Sequence, residues 1–374
     1  MKLLFALLIG LFCLIISCKE APDFEDPSTP TTPLMECYEP NDTLIINNRT
    51  FNMGFSTWTY AQSPEARTNT YEFIGENGDI YSEQFDNHIP WFGLFDGRPL
   101  PEDAGRDINT RVENQIADNE LVVSVSLFNP ERNDLITAYN NQTPMYGSLS
   151  DQQIEDAYFN FLTAVLKDFS NVKYLVIAME VNEFYLKQPD KWEGYKTLMS
   201  NLKPRVYELY PDLLISESIS LHSLVDSEDA EYVNEIFSYV NTMDFVAVSY
   251  YPFMHGVFSD MDIQADFDFL HENITAPIAF VETTQIAEDL ELQEFTLTAD
   301  ECTQKDYAQL LLSNAQEHDY QFVIWWAHKD YDELYDALPD DTKPLARLWR
   351  DTGLINGSDQ ERPAYREWKT ILNR

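Results

Sequence analysis

Eight short segments rich in β-branched and aromatic residues recur along the chain, and the stretches between them show helical periodicity. Alternation of this kind predicts βα units arranged around a parallel sheet. No Gly-rich phosphate loop follows any of the eight segments, so an open nucleotide-binding sheet is disfavoured and no cofactor is expected. We therefore predict an α/β fold, the closed (β/α)8 TIM barrel. The predicted strands are Phe51–Phe55, Gly78–Ser82, Leu121–Ser126, Tyr174–Glu180, Leu213–Glu217, Asp244–Ser249, Ile278–Glu282 and Gln321–Trp326, and the clearest helices are Asp151–Phe169, Trp192–Tyr210 and Asp306–His318.

Residues 1–17 form an almost unbroken apolar run after a single lysine, too short to span a bilayer permanently, which predicts a signal peptide. The run ends at Ile15-Ile16-Ser17-Cys18, which resembles a bacterial lipobox and implies lipidation of Cys18. The alternative is an ordinary signal peptide with an incidental cysteine. The acidic residues after Cys18 resemble the export signals of surface lipoproteins, which implies a secreted protein anchored to the outer membrane and facing the cell surface.

Residues 18–49 are rich in Pro, Thr and Asp and show little apolar periodicity, which is typical of a tether that holds a domain away from a membrane. We expect the barrel to occupy residues 50–374. Cys37 and Cys302 are the cysteines that remain once the signal peptide and the lipidated position are set aside. They could pair in an oxidising compartment, but the sequence leaves that pairing open.

The charge of the chain limits its partners. The sequence contains 64 acidic and 24 basic residues, a formal net charge of -40. Such a charge disfavours nucleic acid as a partner. It also repels strongly anionic glycans at long range, although a local basic cluster could override that repulsion. A solvated acidic surface that aids solubility explains the charge equally well.

Polar and aromatic side chains cluster at the predicted carboxyl ends of the strands, where barrels of this kind hold their chemistry. Sugars are bound by stacking on aromatic rings and by hydrogen bonds to amides and carboxylates, so these residues predict a sugar-binding cleft. The histidines lack metal-ligand spacing and no Gly-x-Ser-x-Gly motif occurs, so neither a metal site nor a serine nucleophile is predicted. The cleft candidates are Thr57, Trp58, Glu83, His88, Trp91, Asn129, Asn182, Glu183, Glu217, His222, Tyr250, Tyr251, Glu282, Trp325, Trp326 and His328.

Two glutamates stand out among these residues. Glu183 follows the fourth predicted strand and Glu282 ends the seventh, 99 residues further on, which is about the length of three βα units. Both carboxylates should therefore emerge at the same face of the barrel. Cleavage of a glycosidic bond needs one carboxylic acid to protonate the leaving oxygen and one carboxylate at the anomeric carbon. The pair therefore predicts a glycosidase.

The segments Asn182-Glu183 and Val281-Glu282-Thr283 resemble those of glycoside hydrolase clan A, which carries Asn-Glu after strand four and a nucleophilic Glu after strand seven. Val248–Gly256 resembles the strand-six segment of the family 53 endo-β-1,4-galactanases. The resemblance implies retaining hydrolysis, with Glu183 as general acid and then base and Glu282 as nucleophile. It also implies that Tyr250 hydrogen-bonds the nucleophile and that Asn182 binds the sugar 2-hydroxyl.

Four tryptophans are candidate platforms for sugar stacking, and His255 is a candidate polar contact. The alternative is that some of these tryptophans only fill the barrel. The sequence leaves the roles of five further residues near the strand ends open. The tryptophans are Trp58, Trp91, Trp325 and Trp326, and the open positions are Glu83, Glu180, Glu217, His222 and His328.

The predicted substrate is a plant or algal polysaccharide, a β-linked galactan or a related neutral glycan, cleaved at internal bonds. We expect a monomer whose other partner is the membrane, through the lipid anchor. Two alternatives differ in function. The first is a surface glycan-binding lipoprotein with the same fold that does not hydrolyse, and the second is a barrel with another hydrolytic or lyase activity.

Overall fold

Nine parallel strands form one sheet in the computed structural model, which describes Cys37 and residues 44–138, 142–292, 296–340 and 342–372. These strands are β1 (Asn52–Ser56), β2 (Ile80–Phe85), β3 (Glu120–Val125), β4 (Val172–Val176), β5 (Leu214–Ser216), β6 (Ser218–Ser220), β7 (Val246–Tyr250), β8 (Ile278–Thr283) and β11 (Phe322–Trp325). A separate antiparallel hairpin consists of β9 (Leu290–Glu291) and β10 (Thr296–Leu297).

The strand order closes the sheet into a barrel. It runs β5-β4-β3-β2-β1-β11-β8-β7-β6. β5 pairs with β4 and β6 pairs with β7, and only Glu217 separates β5 from β6 along the chain. These two short strands are therefore halves of one barrel strand, so the described residues form eight barrel positions. The predicted (β/α)8 TIM barrel is confirmed.

Helices cover the outside of the barrel. The three predicted helices correspond to α4, α6 and α10; α10 begins earlier than expected, because Asp300 and Thr303 form a capping box that starts the helix at Glu301. The described helices are α1 (Pro64–Asn77), α2 (Trp91–Phe95), α3 (Glu102–Glu113), α4 (Gln152–Leu166), α5 (Val181–Lys187), α6 (Trp192–Leu209), α7 (His222–Val225), α8 (Ala230–Val240), α9 (Asp260–Asn273), α10 (Glu301–Glu317), α11 (Asp332–Asp336), α12 (Lys343–Arg350) and α13 (Pro363–Leu372).

The barrel interior is filled by side chains and is not a pore. Tyr174 of β4, Phe322 of β11 and Phe245, the residue before β7, lie at positions that are not neighbours in the sheet, yet their ring centroids lie 4.6 to 5.9 Å apart. These contacts are possible only across the barrel axis. Alternate residues of the same strands face outward into the larger apolar layer beneath the helices. The packed interior therefore leaves no channel through the described part of the barrel.

The start of the described chain packs on the barrel. Cys37 and Cys302 form a disulfide with a Cα–Cα distance of 5.3 Å, and Ile46 is buried in the core. Packing therefore begins a few residues before the predicted boundary at residue 50. The predicted signal peptide and Cys18 lie outside the described residues. Across the part of the chain that the structure describes, none of the helices combines the length and apolar character that crossing a bilayer requires.

Candidate active site

A β-bulge near the carboxyl end of β8 turns Glu282 toward the barrel mouth. Two consecutive residues of β7 pair with Phe280 and Glu282, which leaves Val281 without a partner in that ladder, and the register with β11 shifts over the same stretch. A bulge bends a strand and redirects its side chains. Val281 packs in the barrel interior, and the carboxylate of Glu282 also turns inward, where it meets Tyr251.

The tyrosine that contacts Glu282 is Tyr251, whose hydroxyl donates to Glu282 Oε2 at 2.8 Å. Tyr250, to which the clan A resemblance assigned this contact, instead donates to Asp266 Oδ2 on α9 at 2.6 Å. The reason is strand alternation, which sends Tyr250 toward the helices and Tyr251 toward the mouth. His222 Nε2 accepts the backbone N–H of Tyr251 at 3.3 Å. Burial, followed by the nearby His255, lowers the pKa of His222 well below its usual value, which favours this acceptor form.

Glu282 is 7% exposed, and its surroundings favour the protonated carboxyl. Burial, followed by the charge of Glu180, raises the pKa of Glu282 to about 8, while the Tyr251 hydrogen bond and the charge of Arg132 act in the opposite direction. Glu282 Oε1 is buried and has no hydrogen-bond partner among the described residues. A buried acceptor without a partner in a polar cleft is free to bind a ligand group.

Glu180 lies where the chain passes from β4 into α5. Its backbone is left-handed, with φ of 52°, and its N–H donates to Ser218 Oγ at 2.9 Å. Its carboxylate accepts from Arg132, at 3.1 Å from Nε and 2.9 Å from Nη2. The charge of Glu180 raises the pKa of both Glu282 and Tyr251. Sequence reasoning left the role of Glu180 open and did not single out Arg132, which comes from the loop after β3.

Glu183 lies in the first turn of α5, beyond the end of the strand. The hydroxyl of Ser223 donates to Glu183 Oε1, and Lys187 Nζ lies 3.3 Å from Glu183 Oε2. Burial, followed by the charge of Glu180, raises the pKa of Glu183, and Lys187 lowers it. Glu183 is therefore bound by side chains of α5 and α7, whereas Glu180 is the carboxylate whose charge raises the pKa of Glu282 most.

The amide of Asn182, predicted to bind a sugar hydroxyl, is instead satisfied within the protein. Its Nδ2 donates to Ser220 O and to the hydroxyl of Tyr232, both at 2.9 Å, and its Oδ1 accepts from Ser220 N at 2.8 Å. The side chain is fully buried. Asn182 thus joins α5 to β6, because its position in the first turn of a helix directs it into the protein.

Three partly exposed tryptophans form a continuous surface, which we call the tryptophan wall: Trp58, Trp326 and Trp349. Trp58 and Trp326 stack with ring centroids 5.9 Å apart and planes 30° apart. Trp349, on α12, lies 5.2 Å from Trp326 and 4.8 Å from Tyr251 by ring centroids. The wall therefore reaches the tyrosine that contacts Glu282. Sequence reasoning missed Trp349, since it lies far beyond the last strand.

Trp91 and Trp325, the other two candidate platforms, are instead fully buried. Trp91 Nε1 donates to Ile136 O at 2.7 Å, and Trp325 Nε1 donates to Thr352 O at 3.0 Å. Both rings belong to the layer between barrel and helices, so they cannot stack on a sugar. His255 is exposed, with its ring 3.8 Å from that of His222 and its Nδ1 3.3 Å from Asp226 Oδ2.

Three of the positions whose role the sequence left open are buried away from the mouth. Glu83 pairs with Arg111 at 2.7 Å and Glu217 with Lys203 at 3.1 Å, and both glutamates are fully buried. His328 packs against Phe73, and burial, followed by the charge of the adjacent lysine, lowers its pKa to about 3. These side chains therefore tie the barrel to its helices.

Asp86, the residue after β2, is a carboxylate that sequence reasoning missed. Its Oδ1 is buried without a partner among the described residues. Burial raises its pKa to about 6, against the lowering effect of Arg111, and its charge also raises the pKa of Glu282. Its position directly after β2 is the sequence feature from which it could have been predicted, because barrel sites lie at the carboxyl ends of strands.

A group of three carboxylates outside the barrel mouth has oxygens close enough together to bind a metal ion, although the sequence predicts no metal site. Glu288, Asp330 and Asp351 have oxygens within 4.8 Å of one another. The buried Arg362 lies among them, 2.7 Å from Asp330 and 3.0 Å from Glu288. The guanidinium thus supplies the positive charge that these carboxylates need.

Neither a protein-family model nor a curated protein sequence matches this chain. Solved structures do match, and their fold is that of (β/α)8-barrel glycoside hydrolases. The Ignisphaera aggregans GH53 catalytic domain matches with a TM-score of 0.58 and 11% identity over 88% of this chain and 98% of that chain.

Two further structures match at similar levels. Xylanase 10B from Thermotoga maritima has a TM-score of 0.56 and 12% identity over 87% of this chain and 95% of that one. The exo-beta-1,4-mannosidase Op5Man5 from Opitutaceae bacterium strain TAV5 has a TM-score of 0.61 and 10% identity over 87% of this chain and 59% of that one. At these identities the likeness establishes the fold.

Proposed function

We propose that this protein is a retaining glycoside hydrolase that cleaves internal bonds of a β-linked plant or algal polysaccharide, a galactan or a related neutral glycan. The observation that carries the proposal is Glu282, whose unpartnered buried oxygen faces a mouth shared with Glu180 and bordered by the tryptophan wall. The fold shared with glycoside hydrolases supports it.

We assign the general acid and base to Glu180 in place of Glu183. Glu180 is the carboxylate whose charge acts on both Glu282 and Tyr251, whereas Glu183 binds Ser223 and Lys187 on the adjoining helices. Glu180 and Glu183 are three residues apart: Glu180 precedes α5, and Glu183 lies in its first turn. The sequence pattern favours Glu183, and variants of both glutamates distinguish the two assignments.

The proposed reaction has two steps. In the reactive form Glu180 carries the proton and Glu282 is ionised. In the first step, Glu180 protonates the glycosidic oxygen as the Glu282 carboxylate attacks the anomeric carbon, which gives a glycosyl ester and a free hydroxyl. In the second, the same residue, now ionised, removes a proton from water as the water displaces Glu282. Tyr251 stabilises the ionised nucleophile through its hydrogen bond.

Three variants of the purified protein test the proposal on β-1,4-galactan, xylan and β-mannan, with release of reducing ends as the measurement. Glu282→Ala should abolish release on every glycan. Glu180→Ala should spare activated aryl glycosides and be accelerated by azide with formation of a glycosyl azide, because azide needs no general base. Glu183→Ala is the matched control and should show no such rescue. Azide rescue of Glu183→Ala alone would return the acid role to Glu183.

A glycan-binding function without hydrolysis is the second candidate, and the pKa of Glu282 favours it. A carboxyl that is neutral at pH 7 can donate a hydrogen bond to a sugar but cannot attack it. Calorimetric binding of a glycan with no release of reducing ends between pH 6 and pH 9 would support binding alone.

For location, we propose an exported protein that is lipidated at Cys18. The Cys37–Cys302 disulfide supports export, because disulfides persist in oxidising compartments. Cys18→Ser should shift the protein from membrane to soluble fractions, and an unchanged distribution would reject the lipid anchor.

A further inference from the structure

Two residues with an unusual backbone conformation form an ion pair at the mouth of the barrel. Among the described residues, five non-glycine residues have positive φ, and three of them are Asn or Asp, which tolerate this region: Asn48, Asp319 and Asp359. The other two are Arg132, with φ of 53°, and Glu180, with φ of 52°. They come from loops 48 residues apart, and their side chains meet. Strained residues of this kind persist where the surrounding structure holds them, and they cluster at functional sites.

The loop that carries Arg132 holds itself in place. Asn129 Oδ1 accepts the backbone N–H of Asn133 at 3.0 Å and that of Asp134 at 3.3 Å. Asn129 O accepts both the backbone N–H of Arg132 at 2.9 Å and its Nη1 at 3.0 Å. Phe128 and Leu135 then close the loop with a β-bridge. The guanidinium is therefore presented by a fixed turn.

The contact with Glu180 uses two donors of one guanidinium. Nε lies 3.1 Å and Nη2 2.9 Å from the same carboxylate oxygen, Glu180 Oε2, and the Arg132 and Glu180 side chains are 12% and 9% exposed. A solvent-shielded contact of this kind fixes the direction of the Glu180 carboxylate and also balances its charge. The other end of Glu180 is also fixed, because its N–H donates to Ser218.

We propose that Arg132 is a positioning residue, which holds the Glu180 carboxylate beside Glu282 through the pair of left-handed residues. This inference rests on the proposed function, since it gives Glu180 its place in the reaction. Arg132 also acts on the rest of the site, because its charge lowers the pKa of Glu282 and of Glu183. The charge of Arg132 also lowers the pKa of Asp86, so one cation acts on four carboxylates.

Arg132→Gly tests this proposal without straining the loop, because glycine adopts positive φ at little cost. Crystal structures of the variant and the wild type should show that the Glu180 carboxylate has turned away from Glu282. The second measurement is a pH titration of ¹³C-labelled glutamate carboxyl groups, with the Glu282 signal assigned from Glu282→Gln. The midpoint of Glu282 should be about one pH unit higher in Arg132→Gly than in the wild type. Arg132→Lys should recover part of that shift, because it restores the charge but not the two-donor geometry.

Arg205→Ala is the matched control, since Arg205 pairs with the buried Glu155 on the outer helices, 2.5 Å away. It should leave the Glu282 midpoint unchanged.

On any of the three glycans that the wild type cleaves, Arg132→Gly should also move the acidic limb of the pH–activity profile to higher pH, because Glu282 must be ionised to attack. An unmoved Glu180 side chain and an unmoved Glu282 midpoint would overturn the positioning role. Absence of cleavage by the wild type, with both shifts observed, would overturn only the proposed function.

Discussion

At the residue scale, Glu282 links the chemistry of the site to the stability of the fold. Its folded-state pKa of about 8 lies above the ordinary value of 4.5, mainly because of burial. Between those two values the folded protein holds a proton that the unfolded chain releases. The free energy of unfolding therefore falls as pH rises through this window. The same ionisation is the one that a nucleophile requires, so activity should increase where this stability is lost.

Glu282→Gln should remove this dependence, because an amide cannot ionise. We expect its stability relative to the wild type to grow between pH 5 and pH 9 by on the order of 2 to 4 kcal/mol. Thermal unfolding of both proteins across that range measures the difference. Glu72→Gln, at an exposed position on α1, is the control for the loss of a surface carboxylate. A difference for Glu282→Gln that is flat with pH would contradict the raised pKa.

At the element scale, the segment between β11 and α13 completes the site. It contains α11 and α12, and α12 brings Trp349 against Tyr251 and Trp326. Within this segment the guanidinium of Arg362 joins Asp330 and the carbonyl of Gly353. Trp325 of β11 ties the segment to the barrel, because its Nε1 donates to Thr352 O at 3.0 Å. A sugar stacked on the tryptophan wall would therefore rest on an element that is anchored to the barrel.

Trp349→Ala should raise the KM for the polysaccharide about tenfold, roughly 1.4 kcal/mol, because stacking on one aromatic ring is lost. The effect on kcat should be small, since Trp349 does not contact the carboxylates. Trp349→Phe keeps a ring and should recover most of the affinity. Initial rates on the cleaved glycan measure both constants. An unchanged KM with a lower melting temperature would mean that Trp349 only packs.

At the scale of the whole molecule, long-range contacts join the first and the last parts of the described chain to the barrel. The Cys37–Cys302 disulfide spans 265 residues and joins the start of the described chain to α10. Trp368 and Tyr365 on α13 hydrogen-bond to Asn77 at the end of α1. Contacts of high sequence separation thus bring the last helix against the first βα unit, as a closed barrel requires.

The double variant Cys37→Ser/Cys302→Ser should lower the free energy of unfolding by about 3 to 5 kcal/mol, because a very long loop in the unfolded chain is released. Denaturant titration monitored by tryptophan fluorescence measures the loss. Treating the wild type with a reductant should reproduce it and should leave the double variant unaffected. Equal midpoints for wild type and variant would show that the disulfide contributes nothing to stability.

Local patterns were enough to predict the barrel and one of its two proposed catalytic carboxylates. The recurring strand segments are rich in β-branched and aromatic residues, and each is long enough to form a strand by itself, so their number and order are local information. Glu282 was identified because a strand end is recognisable from composition. Trp58 and Trp326 were identified for the same reason, as aromatic residues directly after strands.

Only the tertiary structure decided which neighbouring side chain turns into the mouth. Tyr251 replaces Tyr250 because the register of β7 in the barrel fixes the inward face, and Glu282 faces inward because a bulge forms between three paired strands. The contact of Arg132 with Glu180 joins two separate loops, and no spacing in the sequence encodes it. Sequence by itself determined the elements and their order, since these follow from local periodicity. The pairing of charges and rings at the mouth depended on hydrogen-bonded register and loop packing, which arise only when the barrel closes.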